Sequence, residues 1–173
     1  MKKILVVVDM QNDFIDGSLG TAQAQSIIKK AAEKITTFDG DIYVTFDTHT
    51  SDYLSTGEGK LLPVEHCIEG TKGWELNKTI EAALCKKEYT AVKKPTFGST
   101  ELVRIIGEKY DATDIEIELI GLCTDICVIS NALLLKASFY ETPISVDASC
   151  CAGVTPKKHE SALDVMRSCQ INI

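Results

Sequence analysis

The chain has 173 residues, with 18 Lys and Arg against 25 Asp and Glu, a formal net charge of −7. That balance argues against a nucleic-acid binder, which needs a basic face. A composition of 45% hydrophobic and 25% charged residues is that of a folded globular chain rather than a disordered one. The length suits a single domain over residues 1–173. No apolar run is long enough to span a membrane. The apolar stretch after Lys2 and Lys3 meets Asp9, Asn12 and Asp13 too soon for a signal peptide. A cytoplasmic protein with no membrane partner is therefore expected.

Residues 3–8 form a β-branched run, the pattern of a strand buried on both faces. Residues 22–35 carry apolar side chains at helical spacing. Residues 41–47 alternate into a second strand and 89–93 into a third. Ser99 is placed to cap a helix running to about residue 110, with Leu102, Ile105 and Ile106 on one face. Residues 115–121 read as a strand, partly exposed at Glu116 and Glu118, and 125–140 as one long apolar helix. Residues 144–147 are a strand. Thr155 and Pro156 open a helix to about residue 169, and 170–173 are a last short strand. Strands alternating with helices predict an α/β fold: a three-layer αβα domain around a mainly parallel sheet of about six strands. The irregular exception is 48–73, which is polar, long and holds two of the three histidines. Ligands in such folds sit at the carboxyl ends of the strands. Asp9, Asp47, Lys94 and the 123–127 turn therefore converge on one crevice.

Seven cysteines are present: Cys67, Cys85, Cys123, Cys127, Cys150, Cys151 and Cys169. An odd number without a secretion signal does not predict a disulfide framework. Most should be small buried hydrophobes. Cys127 differs in position, lying in the opening turn of a helix after a strand. Exposed N–H groups and the helix dipole there favour a thiolate and could hold an oxyanion. The same residue could equally be a helix cysteine facing the sheet. Asp9 could be a base, a cap or an ion-pair partner. Lys93 and Lys94 could support a thiolate or form a solvated surface. His159, beside Lys157, Lys158 and Glu160, reads as solvent-facing. Asp47, His49, Glu58 and His66 share the irregular segment, and such a set suits zinc, with iron(II) or manganese as alternatives.

In combination these residues resemble the isochorismatase-like cysteine hydrolases, most closely the nicotinamidases, over nearly the whole chain. Leu5 to Phe14 (LVVVDMQNDF) is similar to the family's first strand and DxQNDF signature. Gly121 to Val128 (GLCTDICV) resembles its GxxTDxCV nucleophile turn, and Lys94 to Phe97 (KPTF) its lysine segment. Asp47-Thr-His49, Glu58-Gly-Lys-Leu-Leu-Pro and His66 resemble the nicotinamidase metal loop. The resemblance implies a triad of Asp9, Lys94 and Cys127, with Lys93 the fallback for the lysine. It implies an oxyanion hole at the N–H groups of Cys123 and Cys127, and a cis peptide at Leu122–Cys123. Asp47, His49, Glu58 and His66 would hold one divalent metal that receives the ring nitrogen of the substrate. Phe14 would wall the ring, and Leu122 and Cys123 would border the pocket. The implied reaction is hydrolysis of nicotinamide to nicotinate and ammonia through a Cys127 thioester. A homo-oligomer is implied as well. Two other readings compete: an amidohydrolase of carbamoyl or ureido acids, whose relatives keep the cysteine but often lack the metal loop, and a non-enzymatic redox or metal-binding module.

Overall fold

The first apolar run forms β1 (Lys2–Val8) in a computed structural model that describes residues 1–173. In chain order follow α1 (Asn12–Ile15), α2 (Ala22–Thr37), β2 (Asp41–Asp47), α3 (Gly57–Leu61), α4 (Lys78–Leu84), β3 (Tyr89–Lys94), α5 (Thr100–Lys109), β4 (Ile115–Leu122), α6 (Ile129–Ser138), β5 (Ile144–Ala152) and α7 (Pro156–Ser168). Side chains of β1 alternate between two cores. Ile4, Val6 and Val8 join Leu102, Ile106, Ala132, Leu135, Leu163 and Met166, from α5, α6 and α7. Leu5 and Val7 join Ala24, Ile27, Ala31, Ile35, Ile80 and Leu84, from α2 and α4. A strand covered on both faces has no polar side to show, hence its unbroken apolar sequence.

The sheet is parallel, in the order β3-β2-β1-β4-β5. This is the expected three-layer αβα architecture. The chain winds outward from β1 to β3, then returns to lay β4 on the other side of β1. That reversal opens a crevice at the carboxyl ends of β1 and β4. The strands end nearly flush there: Val8 pairs with both Thr45 and Gly121, and Asp47 with Lys94. Gly121 is required at its place. Its φ is +122°, and an added Cβ would stand 2.1 Å from the Val8 carbonyl oxygen.

The sheet has five strands rather than about six. Residues 170–173 contribute only one bridge, Asn172 with Ser145, because Gln170 at φ +63° breaks the extended path just before it. Ser99 and Thr155 cap α5 and α7 as expected, accepting from the N–H groups of Leu102 and Lys158 at 3.0 and 3.2 Å. The helix expected over 125–140 begins instead as a π turn, Thr124–Val128, with the Val128 N–H donating to the Cys123 carbonyl at 3.1 Å. Segment 48–73 contains a 3₁₀ turn, Tyr53–Ser55, and α3. No helix is long and apolar enough to cross a membrane.

Candidate active site

Four strand ends supply the crevice. Asp9 follows β1 in the left-handed region at φ +47°, a conformation that aspartate tolerates better than most residues. Asp47 closes β2, Lys94 closes β3, and the turn after β4 carries Cys127. The Leu122–Cys123 peptide is cis, as the resemblance implied. Asp9, Lys94 and Cys127 are 0%, 1% and 4% exposed, so this chemistry is shielded from water.

Lys94 is the hub. Its Nζ lies 2.6 Å from Asp9 Oδ2, 3.4 Å from Asp47 Oδ1 and 3.5 Å from Cys127 Sγ, and it donates to the Thr96 carbonyl at 2.9 Å. Its neighbour Lys93 points the other way. Lys93 pairs with Glu69 and lies 5.4 Å from the Trp74 ring centre, more than half exposed. Thr45 donates to Asp9 Oδ1 at 2.6 Å. Asp9 Oδ2 is fully buried, and the Lys94 ammonium 2.6 Å away is its partner.

The charges follow from these distances. Burial opposes the Lys94 ammonium, but Asp9, Cys127 and Asp47 outweigh it and hold its pKa above the usual lysine range. Burial raises the Asp9 carboxyl against the pull of Lys94, making it a stronger base than an ordinary aspartate. Burial and the Asp9 charge push the Cys127 thiol well up, with Lys94 opposing. This shift runs against the one expected from the helix terminus, because burial works more strongly on the thiol than the dipole. Burial likewise pushes the neighbouring Cys123 thiol up to about 12.

Beside this cluster, Asp47, His49 and His66 are all buried and offer donor atoms within 4.8 Å of one another. His49 Nε2 and His66 Nε2 stand 3.1 and 3.5 Å from Asp47 Oδ2. Donors bonded at about 2.0–2.1 Å to a tetrahedral ion lie about 3.3 Å apart, so the spacing fits a metal such as zinc. His66 Nδ1 lies 2.8 Å from the Val64 carbonyl. A hydrogen bond there puts the proton on Nδ1 and leaves Nε2 free to ligate. Glu58 Oε1 lies 3.7 Å from both imidazole Nε2 atoms, in place as a fourth arm. Burial works against charge on Asp47, but the two histidines and Lys94 hold its carboxyl below the usual range. Phe14 packs on His66 with ring centres 5.5 Å apart, and Leu122 is buried in the same core layer as Phe14. Phe14 therefore lies by the donor set, and Cys123 is half-buried at the head of the turn.

Sequence reasoning missed three holders of this site. Tyr53 is fully buried against His49 and His66, with ring centres 4.7 and 4.9 Å away. Gln11 clamps the end of β2: its Nε2 donates to the Asp47 and Trp74 carbonyls at 2.8 and 2.9 Å, and its Oε1 accepts from the Asp47 N–H at 2.8 Å. Asn131 ties the lysine loop to the cysteine turn. Its Oδ1 accepts from the Ser99 N–H at 3.0 Å, and its Nδ2 donates to the Phe97 and Cys127 carbonyls at 3.1 and 2.8 Å. Asn131→Leu leaves these backbone groups unpaired and is expected to cost about 2–3 kcal/mol of stability. Urea unfolding measures it, and a loss below about 0.5 kcal/mol would show that water replaces the amide. His159 corrects an expectation. It is half-buried rather than solvent-facing, with Nδ1 2.7 Å from Thr124 Oγ1, because the start of α7 packs against the cysteine turn.

Comparison with known proteins covers the chain as a whole. Residues 3–173 match the isochorismatase domain family. The nicotinamidase/pyrazinamidase of Mycobacterium tuberculosis is 27% identical over 99% of this chain and 97% of its own length. The crystal structure of a nicotinamidase/pyrazinamidase from Bacillus subtilis superposes with a TM-score of 0.88 at 27% identity, covering 99% of this chain and 98% of that one. A Pyrococcus horikoshii pyrazinamidase solved in complex with zinc gives a TM-score of 0.80 at 25% identity, covering 100% and 98%. With the family match covering all but the first two residues, the chain belongs to the isochorismatase domain family.

Proposed function

We propose that this chain is a cysteine amidohydrolase of the nicotinamidase type, converting nicotinamide to nicotinate and ammonia. The observation that carries the reading is the buried Lys94 ammonium set between the Asp9 carboxylate and the Cys127 sulfur, beside a metal-spaced donor set. Asp9 Oδ2 takes the thiol proton as Cys127 Sγ attacks the carboxamide carbon. The transfer exchanges one buried anion for another, so Lys94 neutralises the site throughout. The backbone N–H groups of Cys123 and Cys127 receive the oxyanion. Asp9 hands its proton to the departing amine, ammonia leaves, and a thioester remains. Asp9 then deprotonates the attacking water, nicotinate departs and the thiol is restored.

Asp47, His49, His66 and Glu58 would hold one divalent ion, zinc by donor type, with iron or manganese as alternatives. Such an ion supplies a Lewis-acid anchor for the ring nitrogen of the substrate. Phe14 packs beside that anchor, and Leu122 and Cys123 border the space between ring and sulfur. The buried Asp47–His49–His66 donor set supports this reading over an amidohydrolase of carbamoyl acids, which needs no ring anchor.

The test is ammonia release from nicotinamide by protein of measured metal content. Release is expected to fall at least tenfold on chelation, about 1.4 kcal/mol or more of lost positioning, and to return with zinc. No release from metal-loaded protein overturns the substrate. Release that survives complete chelation overturns the ring anchor.

A further inference from the structure

We infer that His159 is a positioning residue for the nucleophile turn, acting through the hydroxyl of Thr124; this rests on the amidohydrolase reading above. Thr124 lies three residues before Cys127 and directly after Cys123, whose N–H belongs to the proposed oxyanion hole. It is 0% exposed, and its Oγ1 has one side-chain partner, His159 Nδ1, at 2.7 Å. His159 sits in the first turns of α7, an element that supplies none of Asp9, Lys94 and Cys127.

The neighbouring contacts make this a built joint. Asp125 Oδ1 accepts from the Val154 N–H at 2.9 Å, so both side chains of the Thr124-Asp125 pair reach into residues 154–159. Gly153 allows the approach: an added Cβ there would stand 2.8 Å from both Asp125 Oδ1 and the His159 backbone nitrogen. On the turn's other side, Asn131 holds the Cys127 carbonyl at 2.8 Å. The turn is thus held from two directions. Its inner anchor is an amide that cannot titrate. Its outer anchor is an imidazole on a different helix.

The chemistry asks for such a hold. An oxyanion hole works through donors fixed before charge develops, and a shift of a few tenths of an ångström weakens them. The Thr124 hydroxyl and His159 Nδ1 share one hydrogen bond, which satisfies the only polar side-chain group of a fully buried residue. Without that partner the hydroxyl must rotate or the turn must move. The effect therefore falls on the transition state more than on substrate binding.

The test uses His159→Asn, whose amide can place a hydrogen-bonding atom near the Nδ1 position, and His159→Phe, which keeps the bulk without the bond. Thr124→Ser and Thr124→Val make the matching pair. For nicotinamide, His159→Phe and Thr124→Val are each expected to lower kcat at least tenfold with KM changed less than threefold. His159→Asn and Thr124→Ser should recover most of kcat. The double variant Thr124→Val/His159→Phe should be no slower than the worse single, since one interaction is removed twice. Thermal unfolding identifies variants that fail to fold.

A second readout needs no substrate. The rate of Cys127 alkylation by iodoacetamide, mapped by peptide mass spectrometry, is expected to rise at least threefold in His159→Phe and Thr124→Val as the turn loosens. Cys67, on the other core layer, serves as the internal control. Wild-type protein that releases no ammonia overturns nicotinamide as the substrate, and the alkylation arm still decides this one. A His159→Phe protein with unchanged Cys127 alkylation, or losses that add in the double variant, overturns the role of His159.

Discussion

Cys127→Ala is expected to remove ammonia release by about 10,000-fold or more, the scale of losing a covalent nucleophile. Stability should change by only about 1 kcal/mol, because alanine leaves a small void and the Asp9–Lys94 pair keeps its contacts. Cys127→Ser sharpens the result. A hydroxyl is a far weaker acid than a thiol, and Asp9, even raised by burial, is too weak a base to ionise it. The serine variant should therefore sit near the alanine variant despite its near-native shape. A third arm reads the intermediate itself. With wild-type protein, added hydroxylamine should divert acyl groups to the hydroxamate, since a thioester partitions between nucleophiles. An alanine variant that keeps more than about a hundredth of wild-type turnover would remove Cys127 from the chemistry.

Lys94→Met is the second large effect, and it strikes fold and activity together. It leaves the Asp9 and Asp47 carboxylates facing each other in a buried space without a cation. Breaking a buried pair by removing one partner costs about 3–5 kcal/mol. Chemical denaturation should show a loss of that size, with activity at background. Because the cost is an uncompensated charge, Asp9→Leu/Lys94→Met should regain part of the stability and none of the activity. If the double variant is less stable than Lys94→Met alone, the pair is held by packing rather than by charge. Lys93→Met is the companion control. Its ammonium meets Glu69 and Trp74 at the surface, and exposed pairs are worth about 0–1 kcal/mol.

The contrast between those two lysines shows what the sequence could and could not tell. Adjacent in sequence, they offered one motif and two candidates. Strand parity separates them, since successive side chains on β3 point to opposite faces, but which face meets the thiol is known only once β3 is docked on β2. The buried strand β1 was legible because its apolar run has one physical meaning in a helix-covered sheet. Residues gathered at strand ends were legible because a parallel sheet collects them. The clamping roles of Gln11 and Asn131 were not, since each amide also ties down backbone 32 or more residues away, which sequence order does not bring together. His159 misled through its charged neighbours: α7 is amphipathic, and the face that packs on the cysteine turn is set by its docking. The short helices α1 and α4 have too few turns for a period to show.

Asp47 touches both halves of the site, Oδ2 toward His49 and His66 and Oδ1 toward Lys94. One carboxylate cannot give its full charge to both sides at once. Whatever draws on Oδ2 leaves less for Lys94, and the ammonium then leans more on Asp9 and Cys127. The reverse holds with the same free energy, because such coupling is reciprocal. An alteration at the imidazoles is therefore felt at the sulfur, and one at the sulfur at the imidazoles, through Asp47 and Lys94.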